Sequence, residues 1–338
     1  MIYLVSLAPL PVAFLLTFVM RRISLERGLM DVPNERSSHA IPTPRGGGVA
    51  IVIGSIVAFA VLSAVGAVDF RLFAALTGGG VAVAAVGLID DRRALSARVR
   101  LVVHSAAALW ALAWLGEPCR PHPGGLGSVP EVAAYVVAGL GIVWTLNLYN
   151  FMDGIDGIAA SEAVFVSWAG ALLVLLTGGS PSVAATALAF GSACWGFLLW
   201  NWPPAKIFMG DVGSGYLGYM IAVLALAASR DSPLSLCTWL ILGGAFFVDA
   251  TVTLAHRLLR GEQVYEAHRS HAYQWLARRW GSHKSVTLTV IALNVLWLLP
   301  CAIFSAFYPG QALWMVLVAL VPLAIIVILA GAGRRETH

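Results

Sequence analysis

Eleven apolar runs, each about as long as a bilayer is thick, divide this chain and leave little material for anything else. They cover roughly residues 2–20, 46–65, 72–89, 99–115, 130–148, 161–177, 182–200, 212–229, 234–256, 286–307 and 312–330. Runs of about 17 to 25 apolar residues cross a membrane as helices. Inside lipid the backbone must satisfy its own hydrogen bonds, which a single helix does without partners. With 59% apolar and only 11% charged residues, soluble packing of the 338-residue chain is excluded. The expected fold is therefore all-α: a polytopic membrane protein, one domain over 1–338, built as a bundle of about eleven transmembrane helices.

The positive charges orient the bundle. Cytoplasmic loops collect Lys and Arg, and placing the loops after the odd-numbered runs inside assigns 18 of the 21 basic residues to one face. Only Arg71, Arg120 and Arg230 fall on the other. The amino terminus is thus expected outside and the carboxyl terminus inside, with cytoplasmic loops at about 21–45, 90–98, 149–160, 201–211 and 257–285. The first run has no basic leader and no small-residue cleavage site, so an uncleaved helix is expected. The net charge of +4 follows from this topology, suits membrane lipid and phosphate substrates, and requires no nucleic acid. Cys119, Cys194, Cys237 and Cys301 lack metal or redox spacing and read as packing residues.

Carboxylates break the apolar runs on that same inner face. Asp90 and Asp91 end the third run, although a helix carboxyl terminus is the wrong dipole end for two anions, and adjacent carboxylates oppose each other's ionisation without a cation nearby. In NLYNFMDGIDG, Asn147, Asn150, Asp153 and Asp156 step by three and would share one polar edge if helical. In NWPPAKIFMGDVGSG, Lys206 and Asp211 occupy a Pro and Gly loop that opens into a helix, where Asp211 could cap the helix or hold a cation against phosphate. Carboxylates near lipid are costly unless paired, solvated or bound to an ion. Several on one face indicate metal and phosphate chemistry at the membrane surface.

Two longer loops add cations. In DVPNERSSHAIPTPRGGG three prolines deny a continuous helix and three glycines free backbone amides for an anion; His39 and Arg45 are its phosphate-competent members. The loop HRLLRGEQVYEAHRSHAYQWLARRWGSHK carries His268, Arg269 and His271 with Arg257, Arg278 and Arg279, a cationic lid. Two histidines three apart suit a zinc pair, but no further ligand is near in sequence, so phosphate binding or proton transfer is expected. The isolated His104, His122 and His256 receive no role.

Together, in this order and on one face, the segments from Asp31 to His271 resemble the polyprenyl-phosphate N-acetylhexosamine-1-phosphate transferase family, glycosyltransferase family 4. The resemblance implies an enzyme of the bacterial inner membrane. It would move a sugar 1-phosphate from a UDP-HexNAc to undecaprenyl phosphate, releasing UMP and using magnesium, with manganese as the alternative. It also implies that Asp90 and Asp91 are catalytic, that Asp211 ligates the metal with help from Asp153, and that Asn150 and Asp156 hold nucleotide and metal. His268 and His271 would serve the transfer; Asn147, Lys206, Arg269, His39 and Arg45 would bind substrate. AHRSHAYQ stands where the peptidoglycan enzyme, phospho-N-acetylmuramoyl-pentapeptide transferase, has three consecutive histidines. That points to the O-antigen initiating branch and its GlcNAc, FucNAc or QuiNAc donors, the 6-deoxy sugars being preferred. A homodimer is allowed for. Direct attack by the lipid phosphate is favoured over a phosphoryl-enzyme, because it needs fewer charged intermediates beside lipid. A transporter would place its carboxylates at mid-bilayer. A prenyltransferase would space them a turn apart within helices. Both readings are weaker.

Overall fold

The computed structural model describes residues 2–33, 41–116, 130–262 and 268–334, and within them the apolar runs are helices. In chain order these are α1 (Pro9–Glu26), α2 (Gly48–Ala64), α3 (Phe70–Asp90), α4 (Ala97–Leu115), α5 (Glu131–Met152), α6 (Ile158–Leu176), α7 (Pro181–Asn201) and α8 (Asp211–Asp231). They are followed by α9 (Leu236–Leu242), α10 (Gly244–Leu259), the short α11 (Ala272–Trp280), α12 (His283–Phe307) and α13 (Ala312–Ala330). Among the described residues nine helices are long and apolar enough to span a bilayer; α2, at 17 residues, is shorter, and α9 with α10 adds a tenth only as a bent pair. The chain is an all-α polytopic membrane protein.

One run departs from expectation. Residues 234–256 do not form a straight span, because α9 stops at Gly243 and α10 leaves at 81°. Adjacent glycines are a common origin of such kinks. Here Gly244 also packs so tightly that a Cβ would lie 2.6 Å from the Leu320 side chain. The turn brings α10, and with it Asp249, against α11.

At the centre stands α8, whose entire apolar window is buried against α2, α3, α5, α6 and α7. Small residues let membrane helices approach backbone to backbone. A Cβ on Gly48 of α2 would lie 2.4 Å from Gly213 Cα, and one on Gly87 of α3 would lie 2.4 Å from the Asp211 carbonyl oxygen. The end of α3, with Asp90 and Asp91, is therefore pressed onto the beginning of α8.

The described parts of the Pro-rich loop between α1 and α2, residues 27–33 and 41–47, are non-helical. Its described ends pair as a two-stranded antiparallel ribbon, β1 (Met30–Asp31) and β2 (Thr43–Pro44), with Met30 opposite Pro44. Phe208 N–H donates to the Pro44 carbonyl at 2.8 Å and Gly47 N–H to the Phe208 carbonyl at 2.9 Å. Those bonds lace the stretch carrying Arg45 to the loop that leads into α8.

Candidate active site

The first turn of α8 receives its cap from another helix. Asp91 Oδ1 accepts the Asp211 N–H at 2.8 Å and Asp91 Oδ2 accepts the Val212 N–H at 3.2 Å. An anion at a helix amino terminus gains both hydrogen bonds and the helix dipole. This resolves why a carboxylate stands at the unfavourable end of α3: it serves the favourable end of α8. Of the two roles the sequence allows Asp211, helix cap or cation ligand, the structure gives the cap to Asp91, and the Asp211 side chain faces Arg45 and Arg100 instead. Arg45 completes the arrangement, with Nη2 2.6 Å from Asp91 and 3.7 Å from Asp211. Burial pushes the Asp91 carboxyl up from its ordinary value while Arg45 opposes the shift.

Asp90 faces the other side of Asp211. It accepts the Leu95 N–H at 2.6 Å and pairs with Arg100 at 2.7 Å, and Arg100 also lies 3.9 Å from Asp211. The Asp90 and Asp211 carboxylates thus share one guanidinium, through Arg100 Nη1. Beneath them a small cavity is lined by Asp90, Arg100, His104, Asn150 and Asp211 together with apolar groups of α3. Arg100 and His104 were not singled out from sequence. In the sequence Arg100 reads only as a topology charge and His104 as a lone helix residue. The available signal was their spacing of four, which stacks them on one helix face.

The step of three in the DGIDG segment does not place its polar groups on one edge. The helix ends at Met152, and Gly157 turns the chain with a left-handed φ of 75°. Asp153 therefore leaves the helix toward the acidic group; burial and the Asp211 charge raise its carboxyl well above the usual range. Asp156 turns the other way. It accepts the Ala205 N–H at 3.0 Å and lies 3.2 Å from His283 Nδ1, tying this segment to the loop before α8 and to α12. Asn201, unnoticed in the sequence, reinforces the tie by accepting the Gly157 N–H at 2.9 Å and donating to the Ile207 carbonyl at 3.0 Å. Asn150 reaches the cavity, whereas Asn147 donates to the Val143 carbonyl of its own helix at 2.7 Å. Lys206 is not brought to the carboxylates: its Nζ lies 5.4 Å from the centre of the Trp200 ring. His39 lies outside the described residues.

The histidine loop docks against the same segment. His268 and His271 stack with ring centres 4.9 Å apart, and Phe151 stacks on His271 at 6.3 Å. Tyr273 Oη donates to the Phe151 carbonyl at 2.9 Å. Arg269 sits in this turn, its carbonyl accepting from Arg278 at 3.0 Å. The expected cationic lid is corrected at one position. Burial, together with the neighbouring His271 and Arg257, lowers His268 to a pKa of about 3, so it is neutral at pH 7. The anchor is Asp249, a carboxylate hidden in the apolar run FFVDATV. It accepts the Ala272 N–H at 2.9 Å and the Tyr273 N–H at 3.0 Å, and lies 3.4 Å from His271 Nδ1. An ionisable residue inside a membrane span was itself the missed signal.

Among the described residues no three acidic or histidine side chains gather closely enough to enclose a metal ion alone. Magnesium does not need such a cage, since it is held by one or two carboxylates, water and substrate phosphate. The hard-oxygen pair Asp90 and Asp211, gathered about Arg100, fits that ion.

Residues 73–229 match the family described as Glycosyl transferase family 4. The chain is 31% identical over 368 residues to the decaprenyl-phosphate N-acetylglucosaminephosphotransferase of Mycolicibacterium smegmatis, covering 98% of this chain and 89% of the relative. It is 27% identical over 325 residues to a Bacillus subtilis protein named probable undecaprenyl-phosphate N-acetylglucosaminyl 1-phosphate transferase, covering 94% and 88%. A phospho-N-acetylmuramoyl-pentapeptide-transferase of Moorella thermoacetica is 32% identical over 223 residues, covering 61% and 66%.

Proposed function

The chain belongs to the polyprenyl-phosphate N-acetylhexosamine-1-phosphate transferase family, glycosyltransferase family 4, and on that premise we propose that it moves GlcNAc 1-phosphate from UDP-GlcNAc to undecaprenyl phosphate, releasing UMP. The observation that carries the reading is the meeting of Asp90, Asp91 and Asp211 with Arg45 and Arg100 where α3 and α8 touch. Phosphoryl transfer is chiefly a matter of positioning and charge neutralisation. Two arginines beside a helix amino terminus supply positive potential for a diphosphate. The carboxylates between them supply a seat for magnesium.

Asp211 and Asp90 would hold the ion, with Asp153 close by. Bound there, magnesium would neutralise the diphosphate and polarise the attacked phosphorus. Asp91 is committed to the α8 cap and keeps Asp211 in place. A phosphate monoester has its second pKa near about 6, so the lipid acceptor arrives largely as a dianion and needs no strong base. With no base required, direct attack by that dianion is the simpler course. The positive-charge asymmetry of the loops supports a cytoplasmic position for this face at the bacterial inner membrane. The names of the relatives support GlcNAc and weigh against the 6-deoxy donors preferred from sequence.

The test is UMP release by purified protein in nanodiscs, given undecaprenyl phosphate and, in separate reactions, UDP-GlcNAc, the UDP-linked 6-deoxy HexNAc donors or UDP-MurNAc-pentapeptide. Magnesium-dependent UMP release with UDP-GlcNAc is expected. Turnover with the pentapeptide donor alone, or diphosphate release in place of UMP, would overturn the assignment.

A further inference from the structure

We propose that Glu162 carries a proton and closes a two-bond ring with Asn294, and that this neutral pair is the inner clamp of a splint holding the Asp156 segment in place. The ring and the splint stand without the transferase reading; their consequence for turnover rests on it.

Glu162 lies one turn into α6, and Asn294 opens a π-turn, Asn294–Leu298, inside α12. Both helices are long and apolar enough to span a bilayer. The two residues are 0% and 1% exposed, so neither reaches water. Asn294 Nδ2 donates to Glu162 Oε2 at 2.5 Å. The second atoms of the same two groups, Glu162 Oε1 and Asn294 Oδ1, are buried and have no hydrogen-bond partner among the described residues. An ionised carboxylate would leave both bare, because each could only accept. A buried charge with no counter-ion is costly, and the group takes up a proton instead. With that proton on Oε1 the carboxyl donates to Asn294 Oδ1 while Oε2 accepts from Nδ2, and all four atoms are satisfied. Turning the amide over only moves the proton to the other carboxyl oxygen.

The clamp is one of three tethers on a single face of α12. His283, Thr287 and Asn294 follow one another at steps of four and seven, which on a helix of 3.6 residues per turn keeps them within about 40° of one another. His283 Nδ1 lies 3.2 Å from Asp156 Oδ1, and Thr287 Oγ1 donates to the Asp156 carbonyl at 2.9 Å. Asn294 reaches Glu162 about two turns further on. All the partners lie in residues 156–162, where the DGIDG segment turns into α6, and Asp156 in turn holds the Ala205 N–H of the loop leading to Asp211. His283 and Asp156 remain partly exposed, whereas no water competes at the ring. The ring therefore fixes the register of α12 against α6. The π-turn begins at the clamp, so the helix can change its face beyond Asn294 without moving the tethers before it. Glu162 and Asn294 are positioning residues that act through Asp156.

The experiment uses the full chain in nanodiscs, with infrared spectra at pH 7 taken on protein made with ordinary or carbon-13-labelled glutamate. Wild type is compared with Glu162→Gln, Glu162→Ala, Asn294→Leu and the exchanged pair Glu162→Gln/Asn294→Asp. Wild type should show a protonated-carboxyl stretch that shifts with the glutamate label and is lost in Glu162→Gln. In the exchanged pair acid and amide trade places at unchanged length, so an added stretch should appear that ignores the glutamate label. UMP release should follow the ring and not the acid: Glu162→Gln and the exchanged pair stay within about twofold of wild type, while Glu162→Ala and Asn294→Leu lose at least about tenfold in kcat, the scale of the ring's two hydrogen bonds. Hydrogen exchange at residues 156–158 should quicken in those two variants and stay unchanged where α3 meets α8. No labelled stretch in wild type would mean an ionised Glu162 and overturn the proposal. So would Glu162→Gln as damaging as Glu162→Ala, or exchange that rises evenly through the chain. If Glu162→Ala does not fold, the spectra and the exchanged pair still decide. Absence of all sugar-phosphate transfer by wild type would sink the transferase reading alone, because the spectra and the exchange need no substrate.

Discussion

Asp91 closes the end of α3 by accepting the backbone N–H of Asp211 at 2.8 Å, so one acidic break in the chain caps the helix that another acidic break begins. Two carboxylates separated by 120 residues thus take different work from one contact. Asp91 is spent on the backbone and on Arg45, while the Asp211 side chain lies 3.7 Å from Arg45 and 3.9 Å from Arg100.

Asp91→Asn should consequently destabilise the protein. An amide has one acceptor oxygen and cannot serve two N–H groups and a guanidinium together. Loss of a side-chain cap costs about 0.5–2 kcal/mol, and the Arg45 pair adds to it. The thermal midpoint in detergent should fall along with turnover. An unchanged midpoint would mean that the α8 cap is dispensable.

Asp211→Asn should behave in the opposite way. Its side chain caps nothing, and removing one of several neighbouring carboxylates relieves repulsion. The midpoint without magnesium should hold or rise, while turnover falls by at least about a hundredfold because a neutral amide holds the ion poorly. Near-normal activity at limiting magnesium would remove Asp211 from the metal site.

These two variants mark how far the sequence could be read. The spans and the acidic breaks were legible because helix length and charge cost in lipid are properties of local composition. Which aspartate faces which was not, because Asp91 and Asp211 meet only through the close packing that Gly87 and Gly48 permit. The step of three from Asn147 to Asp156 failed because the helix stops at Met152. Lys206 was misplaced for a related reason: the loop before α8 turns its ammonium onto Trp200. Asp249 was overlooked because the kink at Gly243, which takes it to the histidine loop, leaves only two glycines as its trace.

His104 offers a test of the newly found cavity wall. It is buried, its Nδ1 has no hydrogen-bond partner among the described residues, and it stands beneath Asp90 and Asp211. His104→Leu should lower kcat about fivefold by removing from the cavity wall a polar group available to substrate, worth roughly 1 kcal/mol, whereas His104→Gln should restore most of it. Equal activity for Leu and Gln would make the position one of packing alone.

Topology is checked with reporter fusions. The loop asymmetry of Lys and Arg places a fusion after Gly281 in the cytoplasm and one after Gly178 outside. Finding both on one side would relocate the carboxylate face across the membrane.

The histidine loop should loosen in acid. His268 is held to a pKa of about 3 by burial and by neighbouring His271 and Arg257, against the opposing pull of Glu262 and Asp249. A released loop returns it toward the ordinary 6.5. Between those values the open state binds a proton that the docked state refuses, and stability rises with pH wherever the open state holds more protons. Docking is thus at full strength above about pH 6.5 and weakens steadily as pH falls toward 3. Hydrogen exchange at residues 268–271, or tryptic cleavage after Arg269, should speed up from pH 7 to pH 5. His268→Gln, which cannot titrate, should flatten that dependence while leaving the rate at pH 7 nearly unchanged. If wild type and His268→Gln respond alike to acid, another group controls the docking of the loop.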